Sequence, residues 1–327
     1  MSMNQKIFRW GFIGCGNVTE VKSGPAFRKV EGFDVAAVMC RDLVKAAEYA
    51  KRHDINKFYN NADQLINDRE VDAVYIATPP DSHKMYALKV AATEKPCCIE
   101  KPMAPNYNDC IEILAAFEQK AIPLFVAYYR RSLPRFKQVK QWLDSGSIGA
   151  VRHVEWHFVR APSDNDLKKT YNWRTDPSIA YGGYFDDLAS HGLDLFTFFF
   201  GEICQVSGQC TNQNELYKAK DAVAGSWLYE NGITGSGHWN FACFSDEDRV
   251  SIYGSEGKIE FSIFKNEPLL LTTRAGKIEV VIENPVNIQL FHIQNMRDHL
   301  CGLSKHPSTG LTASHTSWVM DKILGKS

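Results

Sequence analysis

Hydrophobic and polar positions follow two different rhythms along the chain. In the first part, short apolar runs at 7–13, 33–39, 71–77, 97–100 and 123–127 read as buried strands. Between them, segments 18–28, 43–53, 82–93 and 107–120 carry apolar residues at helical spacing, and Asn106 stands where it would cap the last of these helices. Strand and helix alternating this often predict a parallel sheet with helices on both faces, a doubly wound α/β domain.

The rhythm changes after about residue 124. A helical segment at 134–144 leads through the turn SGSIG into VRHVEWHFVRA, where Val151, His153, Glu155 and His157 alternate with Arg152, Val154, Trp156 and Phe158. Such alternation predicts a long two-faced strand. Runs rich in β-branched and aromatic residues follow at 205–211, 222–229, 234–241, 249–253, 258–264, 269–273 and 278–282, joined by turns such as ENG, GSEG and RAG. They predict one large, mostly antiparallel, open sheet in a second α/β domain. A helix begins near Tyr184, and two more, at 290–301 and 312–323, close the chain. At ~100 to 200 residues per domain, the 327 residues make two domains, expected at 1–124 and 125–327.

Composition removes several function classes. Thirty-seven basic and 38 acidic side chains leave a net charge of -1 with no clustered Lys/Arg stripe, so no nucleic-acid partner is expected. The most apolar stretch, LDLFTFFFG at 193–201, is far short of a membrane span, and MSMNQKIFRWGFIGCG enters a strand without an apolar signal core. A cytoplasmic location without a membrane partner follows as the expectation. Nine cysteines, an odd number without a CxxC pair, read as reduced thiols, and without closely spaced Cys or His pairs no metal is expected.

Gly14-Cys15-Gly16-Asn17-Val18-Thr19 follows the first strand and opens the first helix, the place of a dinucleotide-binding turn in a Rossmann domain. Gly14 would permit the tight turn and Gly16 would let the backbone approach a pyrophosphate. The helix start at Asn17 and Val18 would supply N–H donors, while Thr19 stands where a third glycine is usual. After the second strand comes Met39-Cys40-Arg41-Asp42. Cys40 holds the place of the acid that grips the ribose of NAD, and Arg41 offers a charge suited to a 2′-phosphate. NADP(H) is therefore expected over NAD(H), which is not excluded. The alternative has Arg41 pointing to solvent and Asp42 capping the next helix.

In YGGYFDDLASHGLDL, spacings of four and three put Asp187, His191 and Asp194 on one helical face, after a Gly182-Gly183 pair that lets the chain pass close to a ligand. A carboxylate one turn from an imidazole can fix its tautomer and raise its basicity, which suits removal of a hydroxyl proton, although an ordinary helix-face hydrogen bond has the same spacing. Tyr129, Arg130 and Arg131 lie at the carboxyl end of the fifth strand, and Tyr171, Asn172, Trp173 and Arg174 form an aromatic-polar loop. Of these, Arg130, Tyr171, Trp173 and Arg174 are candidate contacts for a polyhydroxylated ring. Arg131 equally reads as a surface charge and Trp173 as packing. His153, His157 and His238 fall on two-faced strands and are expected on a partly solvated sheet surface or at a subunit contact.

Gly14-Cys15-Gly16, then Ala77-Thr78-Pro79-Pro80 with His83, then Glu100-Lys101-Pro102, taken in this order, resemble the Gfo/Idh/MocA family of oxidoreductases over nearly the whole chain. The resemblance implies a nicotinamide cofactor across the carboxyl ends of the strands, its reactive ring facing the second domain. It adds Thr78, Pro79, His83, Glu100 and Lys101 to the cofactor residues. It also implies that Lys101 contacts the substrate oxygen, that His191 is the general acid/base and that Asp187 is its partner, with Asp187 and His191 also touching substrate. The implied reaction is metal-free hydride transfer between NAD(P) and a carbinol or carbonyl carbon of a sugar, cyclitol or small polyol. Two other readings are an NAD-dependent glycosidase that oxidises its substrate transiently and a non-catalytic dinucleotide or sugar sensor. Tyr181 and Ala189 replace glycines of the family pattern. An open sheet face uncovered by local helices predicts a homodimer or homotetramer through the C-terminal sheet.

Overall fold

A computed structural model describes residues 7–326. The chain forms two compact units: one runs up to Ser132 and takes in Pro285–Ser314, the other comprises Leu133–Asn284 and the chain from His315 onward. The boundary expected near residue 124 has no counterpart for that returning segment.

The first unit is a six-stranded sheet in the order β3-β2-β1-β4-β5-β6, every neighbouring pair parallel. Its strands are β1 (Phe8–Ile13), β2 (Phe33–Met39), β3 (Lys57–Tyr59), β4 (Ala73–Ile76), β5 (Cys97–Ile99) and β6 (Leu124–Val126). All four residues of β4 and all three of β5 and β6 are buried, which is why these strands read as unbroken apolar runs. The helices are α1 (Asn17–Val21), α2 (Ser23–Lys29), α3 (Leu43–Arg52), α4 (Ala62–Ile66), α5 (His83–Ala92) and α6 (Tyr107–Gln119). Asn106 caps α6 by accepting from Asp109 N at 2.9 Å, as its position predicts.

Three departures from the pattern have physical causes. The single helix expected at 18–28 is two, because Pro25 has no N–H for the Val21 carbonyl one turn back. β3 and α4 are too short, at three and five residues, to show a period. And α10 (Leu290–Leu300), expected at 290–301, belongs to this unit: Ile293 and Met296 pack into the core formed by Trp10, Phe12, Phe27 and Phe125.

The second unit holds α7 (Pro134–Asp144), β7 (Val151–Val159), α8 (Asp164–Leu167), α9 (Tyr184–Phe200) and strands β8 to β14 (Ile203–Thr211, Ala222–Tyr229, Thr234–Asn240, Glu247–Gly254, Gly257–Phe261, Leu269–Thr273, Gly276–Val280). α11 (Gly310–Ile323) is the last helix. The eight-stranded sheet has the order β14-β13-β12-β11-β7-β10-β9-β8, antiparallel except where β7 meets β10. β7 alternates as expected: Val154, Trp156 and Phe158 are buried, while His153, Glu155 and His157 lie on the partly exposed face with His238.

α9 lies against the buried face, with Phe196 edge-on to Trp156 at 5.8 Å and Phe185 edge-on to Trp239 at 4.9 Å. The approach depends on Gly192, where a Cβ would stand 2.2 Å from the Trp156 ring. A side chain there would lift the helix off the sheet, so Gly192 sets the depth at which its neighbour His191 is held.

Candidate active site

Three strand ends meet at the turn after β1. Gly14 N donates to Met39 O at the end of β2, and Ala77 N, just past β4, donates to Ile13 O, both at 2.8 Å. Gly14 has φ +114° and a Cβ there would lie 2.7 Å from the Ala77 carbonyl oxygen, so only glycine fits. At Gly16 a Cβ would meet no protein atom within 4 Å, and Gly16 and Asn17 are exposed. Thr19 explains the missing third glycine. Its buried hydroxyl reaches the carbonyls of Gly16 at 2.9 Å and Gly14 at 3.2 Å and closes the turn from inside. The turn thus presents main chain outward and directs the Thr19 hydroxyl inward.

Beyond β2, Cys40 is half-buried and its N–H donates to Tyr59 O at 3.1 Å. Asp42 caps α3, accepting from Val44 N at 3.0 Å and Lys45 N at 3.2 Å. Arg41, between them, is exposed.

After β4, Thr78 Oγ1 accepts from Ser82 at 2.7 Å and Pro79 is exposed. His83 is fully buried, with Nε2 2.8 Å from Thr78 O and Nδ1 3.1 and 3.2 Å from the carbonyls of Pro102 and Met103. It fastens the loop after β4 to the loop after β5 from behind both. Burial pushes its pKa down, against the opposite pull of the three carbonyls.

Glu100 is the anchor of the second loop. One carboxylate oxygen accepts from Tyr75 OH at 2.6 Å and from Gln289 Nε2 at 2.7 Å, and the other accepts from Lys101 N at 3.2 Å. Tyr75 is fully buried; burial first, and then the Glu100 charge, drive its pKa well up, so it stays a donor. Lys101 is half-exposed and its bond to Pro102 is cis. Gln289 escaped the sequence reading because it lies 189 residues from its partner and carries no motif.

In the second unit, Gly183 (φ +66°) starts α9 where a Cβ would be 2.3 Å from the Lys220 carbonyl oxygen. Two adjacent carboxylates follow. Asp186 is buried and accepts from Gly182 N at 2.9 Å; burial is the main force pushing its pKa up to about 6. Asp187, also buried, accepts from Arg174 Nε at 2.5 Å. The Arg174 guanidinium lies over the Trp173 ring at 4.4 Å. Asn172 Oδ1 accepts from Arg174 N at 3.2 Å, and Asn172 donates to Tyr184 OH, which donates to Asp166 at 2.8 Å.

His191 is buried one turn along α9 from Asp187, edge-on to Phe264 at 5.9 Å. Asp194, a further turn along, accepts from Thr316 at 3.3 Å. The loop thus brings Trp173 and Arg174 to the start of the helix that carries Asp187 and His191, while Tyr171 is 75% exposed. Arg130 lies in the first unit, buried, donating to Tyr129 OH at 2.9 Å. Among the described residues no group of three His, Cys, Asp or Glu is placed to hold a metal, and no helix is long and apolar enough to cross a membrane.

Residues 8–128 match the oxidoreductase family with an NAD-binding Rossmann fold, and residues 136–260 match the GFO/IDH/MocA C-terminal domain. The chain is 37% identical over 318 residues to Oxidoreductase P35 of Formosa agariphila, covering 97% of this chain and 98% of that one. It is 27% identical over 267 residues to D-apiose dehydrogenase of Rhizobium rhizogenes, covering 80% and 75%. Its fold also matches levoglucosan dehydrogenase in complex with NADH and levoglucosan, with TM-score 0.88, 19% identity and coverage of 97% and 96%.

Asp186 makes a pH prediction. A carboxyl group whose pKa is near 6 when folded and ordinary when unfolded stabilises the protein fully below the unfolded value and loses that contribution as pH rises through 6. A shift of roughly two units corresponds to about 3 kcal/mol at most. Asp186→Asn should flatten the pH dependence of unfolding free energy between about 4 and 6. Denaturant titrations giving parallel curves for the two proteins would refute this.

Proposed function

The chain belongs to the Gfo/Idh/MocA family of oxidoreductases, and from that membership we propose that it transfers hydride between NADP(H) and a carbinol or carbonyl carbon of a sugar, cyclitol or related small polyol. The observation that carries this reading is the buried carboxylate of Asp187, tethered by Arg174 one turn before the buried His191. Two desolvated titratable groups on one helix form an acid–base device at a scale that a surface hydrogen bond does not need. D-apiose and levoglucosan dehydrogenases among the similar proteins support the substrate class.

The turn after β1 fits a dinucleotide, since Gly14 cannot carry a side chain and Gly16 opens onto clear space. Main-chain groups of Gly16, Asn17 and Val18 would hold the pyrophosphate, Cys40 and Arg41 the adenosine ribose with its 2′-phosphate, and Thr78, Pro79, Glu100 and Lys101 the nicotinamide end. When bound, the nicotinamide supplies or accepts the hydride. His191 takes the hydroxyl proton during oxidation and returns it during reduction. Arg174 tethers the Asp187 carboxylate one turn before the imidazole that moves the proton. The Lys101 ammonium stabilises charge on the substrate oxygen, and no metal is needed for that role. Tyr171, Trp173, Arg130 and the Nη groups of Arg174 contact the polyol through aromatic faces and planar donors.

The partly exposed sheet face with His153, His157 and His238 is the proposed seat of a homodimer, from which a tetramer can be built. The nine free cysteines suit a reducing cytoplasm.

Purified, cofactor-stripped protein should bind NADPH more tightly than NADH, and Arg41→Ala should reduce that preference by about tenfold; an unchanged ratio in a fluorescence titration would remove Arg41 from the site. His191→Ala should lower kcat by ~10²–10⁴, and near-native turnover would end its assignment as acid/base. Light scattering at micromolar concentration should give at least twice the chain mass, where a monomer would contradict the dimer.

A further inference from the structure

Two cysteines stand together in the first unit. Cys15 lies between Gly14 and Gly16 in the turn after β1, and Cys40 is the first residue beyond β2. These strands are parallel neighbours with Ile13 opposite Met39, so the two chain segments leave the sheet side by side. The Met39 carbonyl oxygen accepts from Gly14 N at 2.8 Å and lies 3.7 Å from Cys15 Sγ. That oxygen belongs to the peptide that joins Met39 to Cys40. Cys15 Sγ is therefore one peptide away from the Cys40 backbone, and a disulfide needs the two Cα atoms ~4.4–6.8 Å apart.

Both residues are partly buried, whereas Cys97, Cys98 and Cys110 are buried. Burial first, and then the neighbouring Cys40, push the Cys15 thiol up to about 12, so Cys15 is protonated at neutral pH. A protonated thiol is a poor first attacker, which leaves Cys40 to react first.

The consequence depends on the dinucleotide site proposed above, in which Cys40 faces the adenosine ribose and Cys15 sits in the pyrophosphate turn. We propose that Cys15 and Cys40 form a reversible disulfide when the dinucleotide is absent, that the linked state excludes it, and that bound cofactor shields the pair. With oxidised glutathione as the oxidant, the Cys40 thiolate attacks one glutathione sulfur and expels the first glutathione thiolate, which takes up a proton. Cys15 then gives up its proton and attacks the Cys40 sulfur, breaking the mixed disulfide and expelling the second glutathione thiol. Two protein thiols become one disulfide, and one oxidised glutathione becomes two reduced molecules. The bridge holds the two Cβ atoms ~3.8 Å apart and so ties the turn after β1 to the strand end that the proposed site gives to the ribose.

The test measures NADPH affinity of the full-length, cofactor-stripped protein in dithiothreitol, after oxidised glutathione, and after oxidised glutathione with saturating NADP. Reduced protein should bind, oxidised protein should bind at least about tenfold more weakly, and dithiothreitol or prior NADP should preserve binding. Peptide mass mapping should find the Cys15 and Cys40 peptides joined and lighter by two hydrogens only in the unprotected sample. Cys15→Ser should form no such link. Glutathione found on Cys40 without the internal link, or the link formed without loss of affinity, would overturn the proposal. Reduced protein that binds neither NADPH nor NADH would overturn the dinucleotide-site reading instead.

Discussion

A buried carboxylate governs the first unit. Removing the charge of Glu100 from water costs several kcal/mol unless donors replace the solvent, and its donors come from three separate parts of the chain: Tyr75 on β4, Lys101 N beside it and Gln289 from the returning segment. The sheet alone cannot supply them, so residues 285–314 must come back before the charge is satisfied. The same return brings Ile293 and Met296 onto the aromatic core around Trp10 and Phe125. Polar satisfaction and apolar burial therefore demand the same topology, and together they hold the loop bearing Lys101 in place. His83 completes the arrangement by tying that loop to Thr78.

The helix start in the second unit solves a related problem. Asp186 and Asp187 are consecutive and both buried, and two uncompensated anions there would repel each other. They are handled in opposite ways. Asp187 receives the Arg174 guanidinium, whereas Asp186 has one main-chain N–H and a pKa that burial raises to about 6. Asp187 thus holds the compensating cation, while Gly192 and Trp156 fix how deep His191, one turn along, sits.

The parts legible in the sequence were those whose cause is local. Strands buried on both faces must be short apolar runs, β7 must alternate because only one face is buried, and Asn106 must precede the helix it caps. The glycine turn and the four-residue spacing of Asp187 and His191 were readable for the same reason, whereas Glu100-Lys101-Pro102 stood out only through the family resemblance. What escaped depends on partners distant in sequence. Gln289 has no signature apart from Glu100, and the union of Arg174 with Asp187 spans a loop whose folding rests on Asn172 and Tyr184. Thr19 looked like a defect in a glycine pattern because the two carbonyls that its hydroxyl satisfies cannot be seen without the turn.

Cofactor choice in the proposed site rests on a difference of two contributions. A carboxylate at the end of β2 would repel a 2′-phosphate, and Cys40 removes that repulsion without adding a charge. Arg41 adds attraction, but its exposure lets solvent and salt screen it. Asp42 is the one carboxylate adjoining Arg41 in the chain, and its oxygen is committed to the N–H groups of Val44 and Lys45 at the start of α3. Its charge is drawn toward the helix dipole and away from the strand end. In the proposed site the discrimination against the unphosphorylated cofactor would therefore come from the screened guanidinium, and tolerance of the phosphate from the uncharged residue at Cys40.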